Sequence, residues 1–541
     1  MQFHFFALLA LPFLSSAIPQ RAPRPAANPT VTIASGVVVG TATKVSNQPT
    51  VTGLANAYLG VPFAKSPPLR FAPPEAPKAW SKPLHAQKNP PACLQQFLPG
   101  NDGEREKTFF NNPGLPPPPE SEDCLYLNVF APQDASPNNL KPVLFWTFGG
   151  NLQIGTASLA YYNGSSYAVN HDVVVVAVNY RTNMFGFSNS PEIPKNQQNS
   201  GFLDIRFGLQ WVQDNIKKFG GDPTKVTIFG ESAGGNCAKQ LLAQPPSPLP
   251  FRAAIMESEA TAATGNGLVS YNVVAAKFGC ALSLSPLNCL RKVDGKAIQT
   301  FITDNALNFF PVNDNTNVGY NSLPSILSGQ FANVPILMGT NKNEGTVFAE
   351  IFGLGSDLDI ISDILQPLGI PLLDSVKDKL ISTYLAGGVA NTSSALVSQI
   401  ITDAFFTCPA SSLSTAISTG PNNSPIWRYR YDASFPNTAT FPNSGAYHSS
   451  EIPSVWGTYS LNGATKTQQE LSKYLQGVWS GFAKNPGAGP GWPKLGSNGG
   501  KELGVLGGGN RPTGEETRSL SEADYPCVVL GPVLIAAGMA Y

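Results

Sequence analysis

One pentapeptide and four histidines frame the chemistry open to this chain of 541 residues. The pentapeptide is Gly230-Glu231-Ser232-Ala233-Gly234, a G-x-S-x-G. Alone it is only moderately specific, and its surroundings decide. Residues 225–229, Lys-Val-Thr-Ile-Phe, have strand character, and residues 233–242 have helix character. Strand, tight turn and helix are the setting of a nucleophile elbow, a strained turn that lifts a serine hydroxyl above a sheet. Gly230 and Gly234 suit that turn because they leave room for close backbone approach. The helix that opens at Ser232 favours developing negative charge at its N-terminus. A glycine-rich turn carrying an ordinary serine is the competing reading, and the flanking pattern opposes it.

A serine is a poor nucleophile until a base takes its proton. The histidines are His4, His85, His171 and His448. His4 falls in an N-terminal apolar run, and His85 in a Pro-rich early loop. His171 sits where a core strand is expected to begin and reads as structural. An elbow serine is followed along the chain by its acid and then its histidine. Only His448 follows Ser232. The acid must lie between them and should follow a strand. Residues 334–338 form such a strand, and the loop 341–346 behind it carries Glu344, placed to orient His448 and stabilise its imidazolium. Asp403 also precedes His448, so spacing alone leaves two acids open.

The elements that must position these groups are short. β-branched runs at residues 37–39, 143–148, 173–178, 226–229, 253–256, 334–338 and 426–431 predict strands. The run 173–176 is four valines without alternation, which marks a strand buried on both faces of a parallel sheet. Apolar residues at Leu203, Phe207, Trp211, Val212, Ile216 and Phe219 recur at helical spacing and predict a helix over 203–219, stopped by Gly220-Gly221. Alternating strands and helices predict an α/β architecture. No internal repeat is visible. The one low-complexity piece is the proline run 116–119.

Segments 121–129, 178–181, 219–223, 226–235, 339–346 and 445–457 together resemble the type-B carboxylesterase/lipase family, which includes cholinesterases and fungal lipases. They occur in that family's order, which is more specific than any one motif. The resemblance implies an α/β-hydrolase fold, with a large mostly parallel mixed sheet flanked by helices and long loop insertions. It implies ester hydrolysis by Ser232, Glu344 and His448. Glu344 lies in a segment similar to the family's G-T-x-x-D-E-G-T, with Asn343 where Asp is common. Glu451, in the histidine loop, is expected to support the site; a solvated glutamate is the alternative. Ala233, the residue after the nucleophile, supplies one oxyanion-hole N–H. By resemblance Gly150 and Asn151 supply two more, with Asn151 in place of the usual glycine. Asn tolerates left-handed backbone better than most residues, so the departure need not abolish the site. The resemblance also implies disulfides Cys93–Cys124, Cys280–Cys289 and Cys408–Cys527. Cys237 is then left as a small buried thiol. Arg70 with Glu122, and Arg181 with Asp204, match the family's structural ion pairs.

Composition narrows the setting. Apolar residues are 42% and aromatic residues 10%, which excludes a disordered chain. Charged residues are only 13%, with 35 of each sign, so no basic field exists to hold nucleic acid. Residues 1–17 read as a signal peptide, with an apolar stretch at 5–14 and Ser15-Ser16-Ala17 at the cleavage site. That run is too short to be a transmembrane segment. Residues 18–29 read as a flexible mature N-terminus or pro-segment. Length alone suggests three or four domains. The span from Ser232 to His448 argues instead for a single catalytic domain over 30–541. Seven cysteines suit an oxidising, extracellular compartment, and Asn163, Asn391 and Asn422 are glycosylation candidates. The apolar tail 528–540 is interrupted by Gly531, Pro532 and Gly538, and reads as a packed or frayed C-terminal segment rather than a removable anchor.

No His/Cys cluster has metal-ligand spacing, and no cofactor is expected. The segment between Cys93 and Cys124 caps the site in this family. Here it is polar, with Phe109 and Phe110 but no Trp, which speaks against both a broad lipase lid and a cation–π site for choline esters. The expected substrate is a neutral, partly apolar small-molecule or lipid ester. A lipase or acyltransferase of the same fold is the nearest alternative, and a non-catalytic adhesion or binding protein a remote one. Oligomeric state is not legible.

Overall fold

The structure is a computed structural model that describes residues 28–260, 267–314, 316–318, 322–354, 378, 381–385 and 393–536. The expected signal peptide, nearly all of the segment 18–29, and Asn391 lie outside the described residues.

The β-branched runs do become strands, with others between them. In chain order these are β1 (Thr30–Ile33), β2 (Gly36–Val39), β3 (Thr41–Lys44), β4 (Leu54–Pro62), β5 (Leu84–His85), β6 (Tyr126–Pro132) and β7 (Lys141–Thr147). Then follow β8 (Val174–Val178), β9 (Gly221–Glu231), β10 (Ala253–Glu257), β11 (Ile336–Asn341), β12 (Ile426–Tyr431), β13 (Leu503–Leu506) and β14 (Glu515–Arg518). β1, β2 and β5 make a small sheet. The other strands form one 11-stranded sheet in the order β14-β13-β12-β11-β10-β9-β7-β8-β6-β4-β3. Its centre, from β8 to β13, is parallel. Its margins are antiparallel, β14 on one side and β6, β4 and β3 on the other.

Helices cover the sheet. They include α1 (Gly100–Phe110), α2 (Ser165–His171), α3 (Ser200–Asn215), α4 (Ala233–Ala243), α5 (Gly345–Ile351), α6 (Lys466–Lys484) and α7 (Cys527–Ala536). Every residue of β8 is buried, as its unbroken apolar run requires of a strand covered on both faces. The fold is therefore the α/β-hydrolase type that the alternating pattern and the resemblance imply.

Several sequence expectations shift. The strand before the acid starts at Ile336, not residue 334, and runs to Asn341. The helix over 203–219 begins earlier, at Ser200, and its last turn, Ile216–Phe219, tightens to 3₁₀. Gly220, at φ +82°, then ends it as expected. His171 closes α2 rather than opening a strand; Asp172 turns the chain at φ +52° before β8. His85 lies in the two-residue β5, paired with β2, not in a free loop.

The ion pairs form as expected. Arg181 grips Asp204 with Nε and Nη2, both at 2.7 Å, and neither side chain reaches solvent appreciably. Arg70 makes a two-pronged contact with Glu122. The disulfides are Cys93–Cys124, Cys280–Cys289 and Cys408–Cys527, and Cys237 is a buried free thiol. α7 lodges Leu530 and Leu534 in a small cluster with Tyr384, Ile400 and Cys408, so one face of the described C-terminal apolar run is packed while Val528 is exposed. Among the described residues no helix is long and apolar enough to cross a membrane.

The core under the site is aromatic. Trp146 on β7 meets Tyr162, Phe229 and Trp456 with ring centroids 4.9, 4.5 and 5.1 Å away. Phe229 lies just before the pentapeptide, so this packing sets the height of the elbow. Trp146→Ala is expected to cost about 3–5 kcal/mol, read as a lower urea midpoint.

Candidate active site

Ser232 stands between β9 and α4 at φ +56°, ψ −123°. A non-glycine residue there is strained and persists only where its surroundings over-determine it. The restraints are on both sides. Its N–H donates to Glu257 O at 2.9 Å, and its carbonyl accepts the first helical bond, from Asn236 N–H at 3.0 Å. The flanking glycines have no substitute. A Cβ on Gly230 would lie 2.3 Å from Gly234 O, and one on Gly234 would lie 2.0 Å from Thr147 O. The turn must therefore be this tight for α4 to dock against β7.

The acid and the histidine come from adjacent strand ends. β11 delivers Glu344, and the loop behind β12 delivers His448. Glu344 Oε2 meets His448 Nδ1 at 2.7 Å, and its other oxygen accepts Asn341 N–H at 2.6 Å. Both side chains are buried. Asn343 ties the two loops together: its N–H donates to Ala446 O at 2.9 Å, and its Oδ1 accepts Ala446 N–H at 3.1 Å. The other candidate acid is engaged elsewhere. Asp403 lies in a π-helical turn, Asp403–Thr407, and accepts from Tyr384 at 2.8 Å and Gln399 at 3.0 Å. Of the two acids that spacing left open, it is Glu344 that contacts His448.

The second ring nitrogen holds a feature that spacing did not suggest. His448 Nε2 faces Glu231 Oε1 at 3.2 Å, and Ser449 Oγ donates to the same oxygen at 2.6 Å. Ser232 Oγ makes no hydrogen bond to a described residue, so the imidazole is seated on Glu231, the neighbour of the serine in the motif. The serine and that carboxylate are close: a Cβ on Gly149 would lie 2.6 Å from Glu231 Oε2 and 2.9 Å from Ser232 Cβ. Hydrogen bonds at reacting groups often tighten only once substrate is bound. Phe348 and Phe406 lie against the imidazole, with centroids 5.1 and 4.6 Å away. Sequence reasoning missed Glu231, Phe348 and Phe406. The first sits inside the pentapeptide, which is the one signal that could have found it.

Burial disfavours a charged imidazole, but the negative fields of Glu231 and Glu344 outweigh it, and the His448 pKa is raised to about 9. Other carboxyls crowd the same space. Burial, reinforced by Glu231 and Glu344, pushes Glu451 up to about 8. Burial, with Glu451 and Glu231, pushes Glu257 well above the ordinary range, and Trp479 Nε1 donates to it at 2.5 Å. Glu451 is therefore buried and bound to the Asn341 side chain, not solvated.

The loop expected to supply oxyanion donors follows β7. Gly150, Asn151 and Leu152 have φ of +107°, +54° and +58°. The Gly150 carbonyl turns inward and accepts the N–H groups of Gln153 and Ile154, at 2.9 and 3.0 Å. Asn151 is exposed and left-handed, a conformation Asn tolerates better than most residues. Ala233 is buried at the start of α4. Among the described residues no group of three or more His, Cys, Asp or Glu side chains could hold a metal ion.

A serine on a strained strand–helix turn, with a buried Glu344–His448 pair delivered from neighbouring strand ends of the same sheet, is the arrangement of an α/β-hydrolase site. The comparisons agree with that class. The model of the carboxylesterase family matches residues 27–518. Carboxylesterase 1D of Mus musculus is 32% identical, covering 87% of this chain and 88% of that protein. The para-nitrobenzyl esterase of Bacillus subtilis (strain 168) is 32% identical over 79% of this chain and 86% of its own length. Human cocaine esterase is 32% identical, covering 86% of each chain. The chain belongs to the carboxylesterase family and is a carboxylic-ester hydrolase.

An imidazole that keeps its proton cannot accept one, so kcat/KM should rise with pH until His448 is neutral, near pH 9. Glu231→Gln removes a negative neighbour and should move that rise down by roughly one to three pH units, read from pH–rate profiles. Glu344→Gln should lower kcat by roughly 10³-fold or more, whereas Asp403→Asn should leave kcat within about tenfold and act on thermal stability instead.

Proposed function

We propose that the protein is a secreted serine carboxylesterase that cleaves neutral, partly apolar esters through an acyl-enzyme. The observation that carries this reading is the 2.7 Å contact between Glu344 and His448 Nδ1, beside a serine whose backbone is held at φ +56°. His448 Nε2 leaves Glu231 for the serine hydroxyl and takes its proton as Oγ attacks the ester carbonyl. Glu344 stabilises the imidazolium so formed. The N–H groups of Gly150, Asn151 and Ala233 receive the oxyanion; one such donor is worth about 3 kcal/mol of barrier. His448 then gives its proton to the leaving alcohol. Water, deprotonated in turn by His448, releases the acid and restores the serine.

The capping segment supports small soluble esters. Its helix α1 carries Glu104, Arg105, Glu106 and Lys107, and offers no broad apolar face. Arg105 Nε fastens it to Ile351 O at 2.6 Å, at the end of the helix that Glu344 opens. Secretion is supported by the three disulfides, which persist in oxidising compartments. We assign the glycan to Asn163 rather than Asn422. The Asn422 amide already donates to Gly329 O and Phe331 O, at 3.1 and 2.6 Å, and a sugar would replace one of those hydrogens. One catalytic domain over 30–541 accommodates the whole constellation.

The test is a panel of esters of graded acyl length, below and above their solubility limits. Turnover confined to short soluble esters is expected, and a jump at the emulsion boundary would make the enzyme a lipase. Acyl transfer to an added alcohol in preference to water would make it an acyltransferase. Ser232→Ala should lower kcat by roughly 10⁴-fold or more, and unchanged turnover would end the mechanism. Asn151→Gly should extend the range toward bulky acyl groups and tertiary-alcohol esters; an unaltered profile would remove Asn151 from acyl selection.

A further inference from the structure

A buried ion pair lies beside the elbow and is not used in the chemistry above. Lys239, on α4, meets Glu259 Oε1 at 2.7 Å, with the side chains 3% and 1% exposed. Asn236 Nδ2, one helical turn earlier, donates to the same oxygen at 3.1 Å. Glu259 Oε2 is buried and has no hydrogen-bond partner among the described residues. Such a pair is a poor stabiliser. Removing two charges from water costs several kcal/mol per ion, and apolar replacements of both partners are often neutral or better. Stability alone therefore gives little reason for this pair.

Its location gives one. Glu259 lies just past β10, within residues 257–260, and those residues hold the serine. Glu257 O accepts Ser232 N–H at 2.9 Å, and Ala260 N–H donates to Ser232 O at 3.4 Å. The segment is itself strained, with Ser258 at φ +43°. Ser258 N–H is pinned to Gly339 O at 2.8 Å, on the strand that leads to Glu344. The chain also passes very close to α4: a Cβ on Gly235 would lie 3.1 Å from Glu259 Cα. Two strained backbones thus face each other, and each is the other's restraint. Strain of this kind persists only when neighbours over-determine it.

We propose that the Lys239–Glu259 pair is a positioning device for the nucleophile, clamping residues 257–260 onto the first turns of α4 so that Ser232 keeps its attacking geometry. It deepens the esterase reading above and rests on it. The pair touches neither substrate nor the reacting atoms. It acts on the rate of acylation, because a misplacement of about 1 Å at a reacting group can cost roughly 10²-fold. Substrate binding, which depends on other walls of the site, is spared.

The experiment compares wild type, Lys239→Met, Glu259→Gln and the double variant Lys239→Met/Glu259→Leu on one soluble p-nitrophenyl ester. Active sites are counted by an irreversible phosphonylating reagent, and Tm is recorded for each. Each single variant should lose between about tenfold and 10²-fold in kcat per titrated site, with KM within about twofold. The double variant leaves no unpaired charge at either position, so its Tm should return to near wild type while kcat stays low. A double variant that regains both Tm and kcat, or that does not fold, would make the pair purely structural and overturn the proposal. Wild-type enzyme that fails to turn over any ester would instead sink the esterase reading, a separate result.

Discussion

The site depends on one backbone conformation, the left-handed turn at Ser232. A side chain at φ +56° costs of order 1–3 kcal/mol, which the rest of the fold must absorb. It does so by crowding. Gly230, Gly234 and Gly149 are the points where β9, α4 and the loop after β7 come too close for any Cβ. Those approaches are possible only because β7, β9 and β10 are neighbours in register, with Thr147 beside Gly230 and Glu231 beside Glu257. The sheet's parallel centre is thus the frame on which the strained turn is drawn tight.

A second constraint is electrostatic. Glu231, Glu257, Glu344 and Glu451 are buried in one region, with His448 among them. That many carboxylates cannot all ionise in a low-dielectric space. Burial and mutual repulsion push Glu257 well up and Glu451 up to about 8, while Glu344 and Glu231 bracket the two nitrogens of the imidazole. The carboxylates on either side of the ring thereby favour the imidazolium form of His448. The region also holds His448 Nε2 on Glu231. The same field keeps His448 protonated until the pH is high.

The loops that finish the site are joined rather than free. Asn343 ties the acid loop to the histidine loop, and Arg105 ties the capping helix to the end of α5. Phe109 on α1 sets its edge on Phe441, which contacts Tyr447, the residue before His448. Motion of the cap would therefore be felt at the histidine. Asn151 takes a positive φ of +54° with its side chain exposed, a backbone conformation that Asn tolerates better than most residues.

Much of this was legible in the residues alone. The elbow could be read because its strand, glycines and helix are local, and local pattern is what short-range sterics act on. His448 could be read by elimination among four histidines, and β8 by its unbroken valines. Glu344 could not be separated from Asp403 by spacing, because both precede the histidine and only three-dimensional proximity distinguishes them. The roles of Glu231, Phe406 and the Lys239–Glu259 pair were equally silent. Each depends on which strand ends meet across the sheet, over separations such as the 218 residues between Glu231 and Ser449. Residue type and short-range geometry were enough to read the elbow at Ser232, to single out His448 and to predict the α/β pattern. Which acid meets the histidine, where that histidine rests and which carboxyls are pushed up could be read only from the tertiary structure, because burial and charge coupling exist only once distant segments share a low-dielectric space.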